Sequence, residues 1–292
     1  MTAANREPVT ILGLGPMGQA LAGAFLHNGH PTTVWNRTAS KADALVTEGV
    51  NRSETVVDAV AASDLVIACV IDYDAVRAIV EPAATALKGK TLVNLTADSP
   101  ARAREMADWA AEHGIEYLDG AIMTPAPTIG GAAAVVLYAG SQALYESHEP
   151  TLSNLGGTAA HLGTDPGRAA AHDVSLLDMF WTGMAGMVHG FALAKAEGIE
   201  AVDLAPYAKG IVNLLPDIMS DFAERIDEDR FTGDISNIQS AAAGMDHIIH
   251  AAHNRDIETG VLNAATALAK RATEAGYGAE SFARLSQVLR GA

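Results

Sequence analysis

Cysteine is almost absent from this chain: Cys69 stands alone among 292 residues. One thiol closes no internal disulfide, so the fold has to rest on apolar burial, and the expected compartment is a reducing cytoplasm. Cys69 lies inside the apolar run Leu65 to Ile71, the setting of a small core residue rather than of a nucleophile or ligand. Cations are also scarce, with 19 Lys and Arg against 35 Asp and Glu and a formal charge of −16. That surplus repels nucleic acid and anionic lipid, so neither is an expected partner. Long apolar runs are missing too. Leu65 to Ile71 and Ala132 to Ala139 have the length of strands, so no membrane span is expected, and Met1 to Glu7 carries no apolar core of the signal-peptide kind. No Walker loop or Ser-His-Asp order is present. His247, His250 and His253, three residues apart, fan over about 120° of a helix, too wide for shared ligation, so no metal is expected.

What remains is ample material for folding. Apolar residues make up 49% of the chain and charged residues 18%, enough for two domains with cores of their own. The first half alternates in period. Strands are expected at Val9 to Leu12, Thr32 to Trp35, Leu65 to Val70, Thr91 to Leu95, Glu116 to Leu118 and Val135 to Ala139. Helices are expected at Pro16 to Asn28, Ala39 to Glu48, Asp74 to Leu87 and Pro100 to His113. Such alternation implies an α/β fold with a doubly wound, mainly parallel sheet. From Pro166 the pattern is helical. Gly167 to Glu197 has no proline and reads as one helix of roughly 45 Å. Further helices are expected at Leu204 to Met219, Ser220 to Ile226, Ile238 to Asn254 and Thr259 to Ala275. The expected domains are therefore residues 1–163 and an all-α half, 164–292, that begins with the long helix. On that helix Phe180, Met184, Met187 and Phe191 lie within roughly 40° of one line. A helical half of this size is too small to cover the stripe, so a homodimer of intertwined helical domains is expected.

Gly13-Leu14-Gly15-Pro16-Met17-Gly18 follows the first strand and opens the first helix. In that context a Gly-x-Gly-x-x-Gly turn is a dinucleotide site: its glycines let backbone approach the pyrophosphate, and the helix N-terminus favours negative charge. At the end of the second strand an NAD site places Asp or Glu for the ribose 2′-hydroxyl. Here Trp35 is followed by Asn36, Arg37, Thr38 and Lys41, which suit a 2′-phosphate, so the expected cofactor is NADPH. Val70 and Ile71, at the end of a neighbouring strand, are candidate lining residues. Asn94 is a candidate contact to ribose, nicotinamide or substrate, and equally a turn-capping asparagine.

These residues resemble the β-hydroxyacid dehydrogenase superfamily. Trp35-Asn36-Arg37-Thr38-x-x-Lys41 together with Gly163-x-Asp165-x-Gly167-x-Ala169 is most similar to its imine reductases and reductive aminases, and Asp119-Gly120-Ala121-Ile122-Met123 adds to the likeness. The resemblance implies a Rossmann domain, NADPH, and reduction of imines to amines, extending to reductive amination of a carbonyl with an amine. Hydroxyacid dehydrogenases of the superfamily use a lysine on the long helix. This chain has none between Lys90 and Lys195. Their Ser-Gly-Gly loop is replaced by Met123-Thr124-Pro125. Both departures count against the alternative of an NADP-dependent hydroxyacid dehydrogenase or carbonyl reductase. A non-catalytic NADPH-binding protein is the remaining alternative.

Imine reduction needs a hydride at carbon, a proton at nitrogen and an anion beside the iminium cation. Asp173 and Asp178 are the acids on the long helix. Asp173 shares the apolar direction of Phe180 and Phe191, whereas Asp178 points about 140° away with Ser175, Thr182 and His189. An acid on an apolar stripe is costly without a purpose or partner, so Asp173 is the candidate catalytic group. The resemblance supports that position, where reductive aminases commonly carry Asp or Asn. Two turns on, where many relatives carry tyrosine or aspartate as a proposed proton donor, this chain has Trp181. Indole is no general acid at neutral pH, so Trp181 either shapes the pocket, with water supplying the proton, or is core. Met123, Leu177, Leu214, Leu215 and Met245 are candidate pocket residues.

Overall fold

A computed structural model describes residues 6–290, which divide into one compact unit ending at Asp178 and a second beginning at Met179. The first unit is built on one eight-stranded sheet, ordered β3-β2-β1-β4-β5-β6-β7-β8. Its strands are β1 Val9–Leu12, β2 Thr32–Trp35, β3 Asn51–Arg52, β4 Leu65–Ala68, β5 Thr91–Asn94, β6 Glu116–Ile122, β7 Val135–Gly140 and β8 Thr158–His161. All neighbours run parallel except β6 and β7. Alternate residues feed opposite faces. Val9, Ile11, Leu65, Ile67 and Val93 join α1 (Pro16–His27) in one core. Leu12, Val66, Ala68 and Leu92 join Tyr73 and Val76 of α2 (Tyr73–Val80) and Met106 and Trp109 of α3 (Pro100–Glu112) in the other. Both faces are covered, as expected of a doubly wound fold. Cys69 sits in the first core, where burial pushes its thiol up to about 11.

Several expected elements are corrected in detail. The expected helix Asp74 to Leu87 is broken: α2 ends at Val80, a 3₁₀ turn occupies Glu81–Ala83, and a short helix follows at Ala84–Leu87. Pro82 lacks the amide that would carry the helix through. Ala39 to Glu48 likewise divides into a 3₁₀ turn and a helix at Asp43–Glu48. β6 runs four residues beyond its expected end because it pairs with β7 as far as Ile122. β3 and β8, edge or near-terminal strands with little apolar content, were not expected.

The long helix, α4, spans Gly167–Ala196. Asp165 anchors its start: it accepts Arg104 Nε and Nη2 at 2.9 and 2.7 Å and the Gly167 amide at 3.0 Å. A Cβ on Gly167 would lie 2.8 Å from the Pro100 carbonyl oxygen, so the helix approaches α3 closer than any side chain permits. These contacts give the Gly-x-Asp-x-Gly-x-Ala spacing a physical cause.

The second unit holds the rest of α4 and four longer helices, α5 Ala201–Val212, α6 Leu215–Asp227, α7 Ile238–His253 and α8 Gly260–Ala272. The break between α5 and α6 falls at Asn213–Leu214, earlier than expected, with Pro216 in the first turn of α6, where its missing amide costs nothing. The core of this unit is small, with Ile238, Ala269, Ala272 and Leu285 at its centre. Among the described residues no helix is long and apolar enough to cross a membrane.

Glu7 ties the segment before β1 to the sheet's flank. Its carboxylate accepts Thr151 Oγ1 at 2.5 Å and meets His148 Nδ1 at 2.9 Å. Burial pushes the Glu7 carboxyl upward, but these hydrogen bonds outweigh it and hold the group below its ordinary value. Its stabilisation is therefore present above the ordinary carboxylate range and is lost as pH falls through the depressed folded-state value. Glu7→Gln should cost about 1–2 kcal/mol in urea unfolding at pH 7, with the deficit shrinking as the titration is repeated toward pH 3.

Candidate functional site

At the C-terminal edge of the parallel strands the chain leaves β1, turns through Gly13 to Gly15 and enters α1. The turn is held from below. Asn36, just past β2, accepts the Leu14 amide on Oδ1 at 2.9 Å and donates Nδ2 to the Thr38 carbonyl at 2.9 Å. A Cβ on Gly18 would stand 2.0 Å from the Gly13 oxygen, so α1 rests directly on the turn. At Gly15 a Cβ would meet no protein atom within 4 Å, and no side chain caps the helix. The turn is therefore an open cradle facing uncapped amides, the setting in which a helix N-terminus takes a phosphate. Leu14 is buried beneath it and Met17 packs on the core.

Gly13, Asn36, Arg37, Thr38, Lys41, Val70 and Ile71 line one cleft of about 490 Å³. Seven of the sequence-derived candidates for cofactor contact thus share one cleft; Leu14 to Gly18 continue the turn beside Gly13 without lining it, and Asn94 stands apart. Arg37 and Lys41 are exposed, and among the described residues neither enters an ion pair. In a chain of charge −16, two adjacent unpaired cations beside a glycine turn fit the extra phosphate of NADPH. Ile71 is 83% exposed, a large apolar side chain left bare at the cleft wall.

Asn94 lies one layer beneath. It is fully buried, accepts the Thr96 amide on Oδ1 at 3.1 Å and donates Nδ2 to Tyr117 at 3.2 Å. This amide belongs to a continuous run of hydrogen bonds. The Val70 amide donates to Thr96 Oγ1 at 3.1 Å, Thr96 to Asn94, Asn94 to Tyr117, and the Tyr117 hydroxyl to Asp119 Oδ1 at 3.0 Å. Tyr73, the first residue of α2, donates its hydroxyl to the same oxygen. Burial first, and the Asp119 charge second, push both phenols up, so they stay protonated donors. Burial drives the Asp119 carboxyl up to about 7, although the two hydroxyls favour its anion.

Sequence reasoning took Asp119 only as part of a motif and missed Tyr73 and Tyr117 altogether. The available signal was an acid within a strand otherwise built for burial. Its partners, 46 and 2 residues away, are brought to it by the fold.

Asp173 is 4% exposed on the second turn of α4, and burial pushes its carboxyl up. Asp178 is exposed. The two acids on the helix are thus separated as their spacing predicts. Met123 packs, half-buried, with Ala121, Leu137 and Ala169, and Leu177 is half-buried on α4.

The remaining candidates lie in the second unit. Trp181 is 63% exposed with its ring edge-on to Phe180, centroids 5.1 Å apart, so it is not core within this chain. Leu214 and Leu215 are exposed at the α5–α6 junction. Met245 lines a cavity of about 640 Å³ with Phe222, Ile235 and Phe282. Among the described residues no group of three His, Cys, Asp or Glu side chains is placed to hold a metal.

Comparison with known proteins agrees with this anatomy. A family profile described as the NAD binding domain of 6-phosphogluconate dehydrogenase matches residues 8–163. A second, described as NADPH-dependent reductive aminase-like, C-terminal domain, matches residues 165–291. The chain is 35% identical over 286 residues to an NADPH-dependent reductive aminase of Aspergillus oryzae, covering 97% of each. Among solved structures it is similar to an imine reductase from Myxococcus stipitatus in complex with NADP+, with TM-score 0.93, 38% identity and coverage of 97% of this chain and 99% of that one. It is equally similar to a reductive aminase from Aspergillus terreus in complex with NADPH and ethyl levulinate, with TM-score 0.93, 34% identity and coverage of 98% and 100%. The chain belongs to the family of imine reductases and NADPH-dependent reductive aminases.

Proposed function

We propose that the protein reduces C=N bonds to amines with NADPH, that it carries out reductive amination of carbonyls in the same site, and that Asp173 is the group that makes the chemistry possible. The observation that carries the reading is a nearly buried carboxyl on α4, in a chain with no lysine from Lys90 to Lys195 to serve an alcohol.

The residues present fit the cofactor. The open cradle at Gly15 and the uncapped start of α1 hold its pyrophosphate. Arg37, Thr38 and Lys41 take its 2′-phosphate. The bound nucleotide supplies the hydride. Asp173, as an anion in a poorly solvated position, steadies the positive charge of the protonated imine, and a fixed charge is worth more there than in water. Met123 and Leu177 supply apolar walls suited to an uncharged carbon skeleton. Trp181 stacks on or donates its N–H to the substrate and holds no transferable proton, so water delivers the proton to nitrogen. We place the functional boundary at residues 163–164, which the two profile matches support.

We further infer a homodimer. Phe180 and Trp181 are more than half exposed, as are Val188, Val202, Tyr207 and Ile211. A helical unit with so small a core and so much bare apolar surface is normally covered by a partner, and a second copy is the partner always at hand. The substrate walls formed by Leu214, Leu215 and Met245 are then completed by that second copy. Sedimentation equilibrium should give twice the chain mass of 30.2 kDa, and a monomer at micromolar concentration would refute the pairing.

Two substitutions test the chemistry. Asp173→Ala should lower turnover of a small cyclic imine by about a hundredfold while leaving the NADPH dissociation constant within about twofold. Because burial raises the Asp173 carboxyl, its anion is lost as pH falls at a higher pH than for an ordinary aspartate, and the acid limb of the wild-type profile should lie accordingly. Arg37→Ala should weaken NADPH binding by about tenfold and leave NADH binding nearly unchanged, as measured by fluorescence titration. An equal effect on both nucleotides would remove the 2′-phosphate from the assignment.

A further inference from the structure

We propose that Thr96 is a positioning residue for the nucleotide: its hydroxyl oxygen fixes the chain just past β4, against which the glycine turn closes, and so sets the affinity for NADPH from behind the cleft wall. The inference rests on the reading of the cleft beside that turn as the nucleotide site.

The backbone ladder runs out where the cleft begins. β4 ends at Ala68, whose carbonyl still accepts the Leu95 amide at 2.8 Å, and the Cys69 amide still donates to the Leu12 carbonyl at 2.9 Å. The next amide, that of Val70, is taken by a side chain instead: it donates to Thr96 Oγ1 at 3.1 Å. Val70 and Ile71 line the cleft, whereas Thr96 does not line it and is 2% exposed. A valine at 96 would fill the same space and leave the Val70 amide without its acceptor.

The end of β4 is also where the glycine turn is most confined. A Cβ on Gly13 would lie 2.5 Å from Val70 Cγ1 and 2.3 Å from the Cys69 carbonyl oxygen. On its other side the Gly13 oxygen is pressed by Gly18 of α1. The turn is thus held between Val70 and the first helix. In a close-packed interior a displaced wall moves what rests on it. A shift of Val70 therefore moves Gly13 and, with it, the uncapped amides that open α1. A phosphate cradle binds best when its donors already stand in place, because donors that must be reordered on binding lower the affinity.

Thr96 is held in turn from within the sheet. Its amide donates to Asn94 Oδ1 at 3.1 Å, Asn94 Nδ2 donates to the Tyr117 hydroxyl at 3.2 Å, and Tyr117 donates to Asp119 Oδ1 at 3.0 Å. Asn94, Tyr117 and Asp119 are all buried. The strut crosses from the end of β4 through β5 to β6, which are neighbours in the sheet. Removing a link at the Asp119 end should therefore act in the same direction as removing the Thr96 hydroxyl, and more weakly.

The test combines fluorescence titration with NADPH and steady-state turnover of a cyclic imine in full-length variants. Thr96→Val should raise the NADPH dissociation constant and KM about fivefold, while kcat at saturating NADPH stays within about twofold. Thr96→Ser, which keeps the acceptor, should hold the dissociation constant within about twofold of wild type. Tyr117→Phe should raise it about twofold to threefold. A wild-type dissociation constant in Thr96→Val overturns the proposal. So does an equal loss in Thr96→Ser, which marks a packing effect, or a fall in kcat with KM unmoved. An unchanged constant in Tyr117→Phe overturns the extension of the strut to Asp119. Amide hydrogen exchange by NMR on nucleotide-free wild type needs no variant to fold: the Val70 amide should be protected, and exchange at the rate of an unstructured peptide overturns the anchoring bond itself. Arg37→Ala separates the two levels. Wild-type affinity in Thr96→Val beside weakened binding in Arg37→Ala overturns the role of Thr96 alone, whereas full NADPH affinity in Arg37→Ala overturns the reading of the cleft.

Discussion

Taking a carboxylate out of water costs several kcal/mol even after the protein relaxes around it, and this chain does so at two positions, on β6 and on the opening turns of α4. Most of the local architecture at the C-terminal edge of the sheet answers that cost. Tyr73 opens α2 so that its hydroxyl reaches Asp119, and Tyr117 stands two residues back on the same strand to do likewise. Asn94 and Thr96 continue the chain of hydrogen bonds to the Val70 amide, at the wall of the nucleotide cleft. A buried polar network in which each member is another's partner holds its geometry rigidly. The cleft beside the glycine turn and the Asp119 carboxyl are therefore parts of one braced unit.

Charge is arranged by separation. The acidic surplus would keep a nucleotide away if it were spread evenly. Arg37 and Lys41 are kept out of ion pairs, while nearby Asp43 is engaged by Arg52 at 3.2 Å and the acids around α3 by Arg102 and Arg104. Exposed pairs of that kind add little stability, about 0–1 kcal/mol each. They leave Arg37 and Lys41 as exposed cations outside any ion pair among the described residues.

The strand–helix alternation of the first unit and its glycine turn were legible because buried parallel strands read as short apolar runs and the turn has few chemical solutions. Arg37, Thr38, Lys41, Val70 and Ile71 could be named from their positions at strand ends, and the fold brings them to one cleft with Gly13. β3 was not, since Asn51 and Arg52 are exposed and the strand exists through two backbone pairings with β2. The division of α2 from the helix after it was written in Pro82 but hidden by an unbroken apolar rhythm. The burial of Asp173 and the exposure of Asp178 were legible because helical period alone sets one against the other. Asp119 could not be assigned, because a strand shows only that an acid is buried. Its hydrogen-bond donors come from another residue of the same strand and from a helix 46 residues upstream, a separation that only the fold closes.

The long helix shows why the second unit is incomplete alone. At about 100° per residue, Val174, Leu176, Met179, Phe180, Trp181, Met187 and Val188 point around roughly 220° of its circumference, and each is at least 40% exposed. The remaining arc carries Ser175, Asp178, Thr182 and His189. An amphipathic helix on the surface of a finished domain shows a narrower apolar stripe than this; an arc so wide belongs to a helix surrounded on most sides. One flanking helix covers a single ridge, so no one neighbour closes such an arc, and the covering elements have to wrap it.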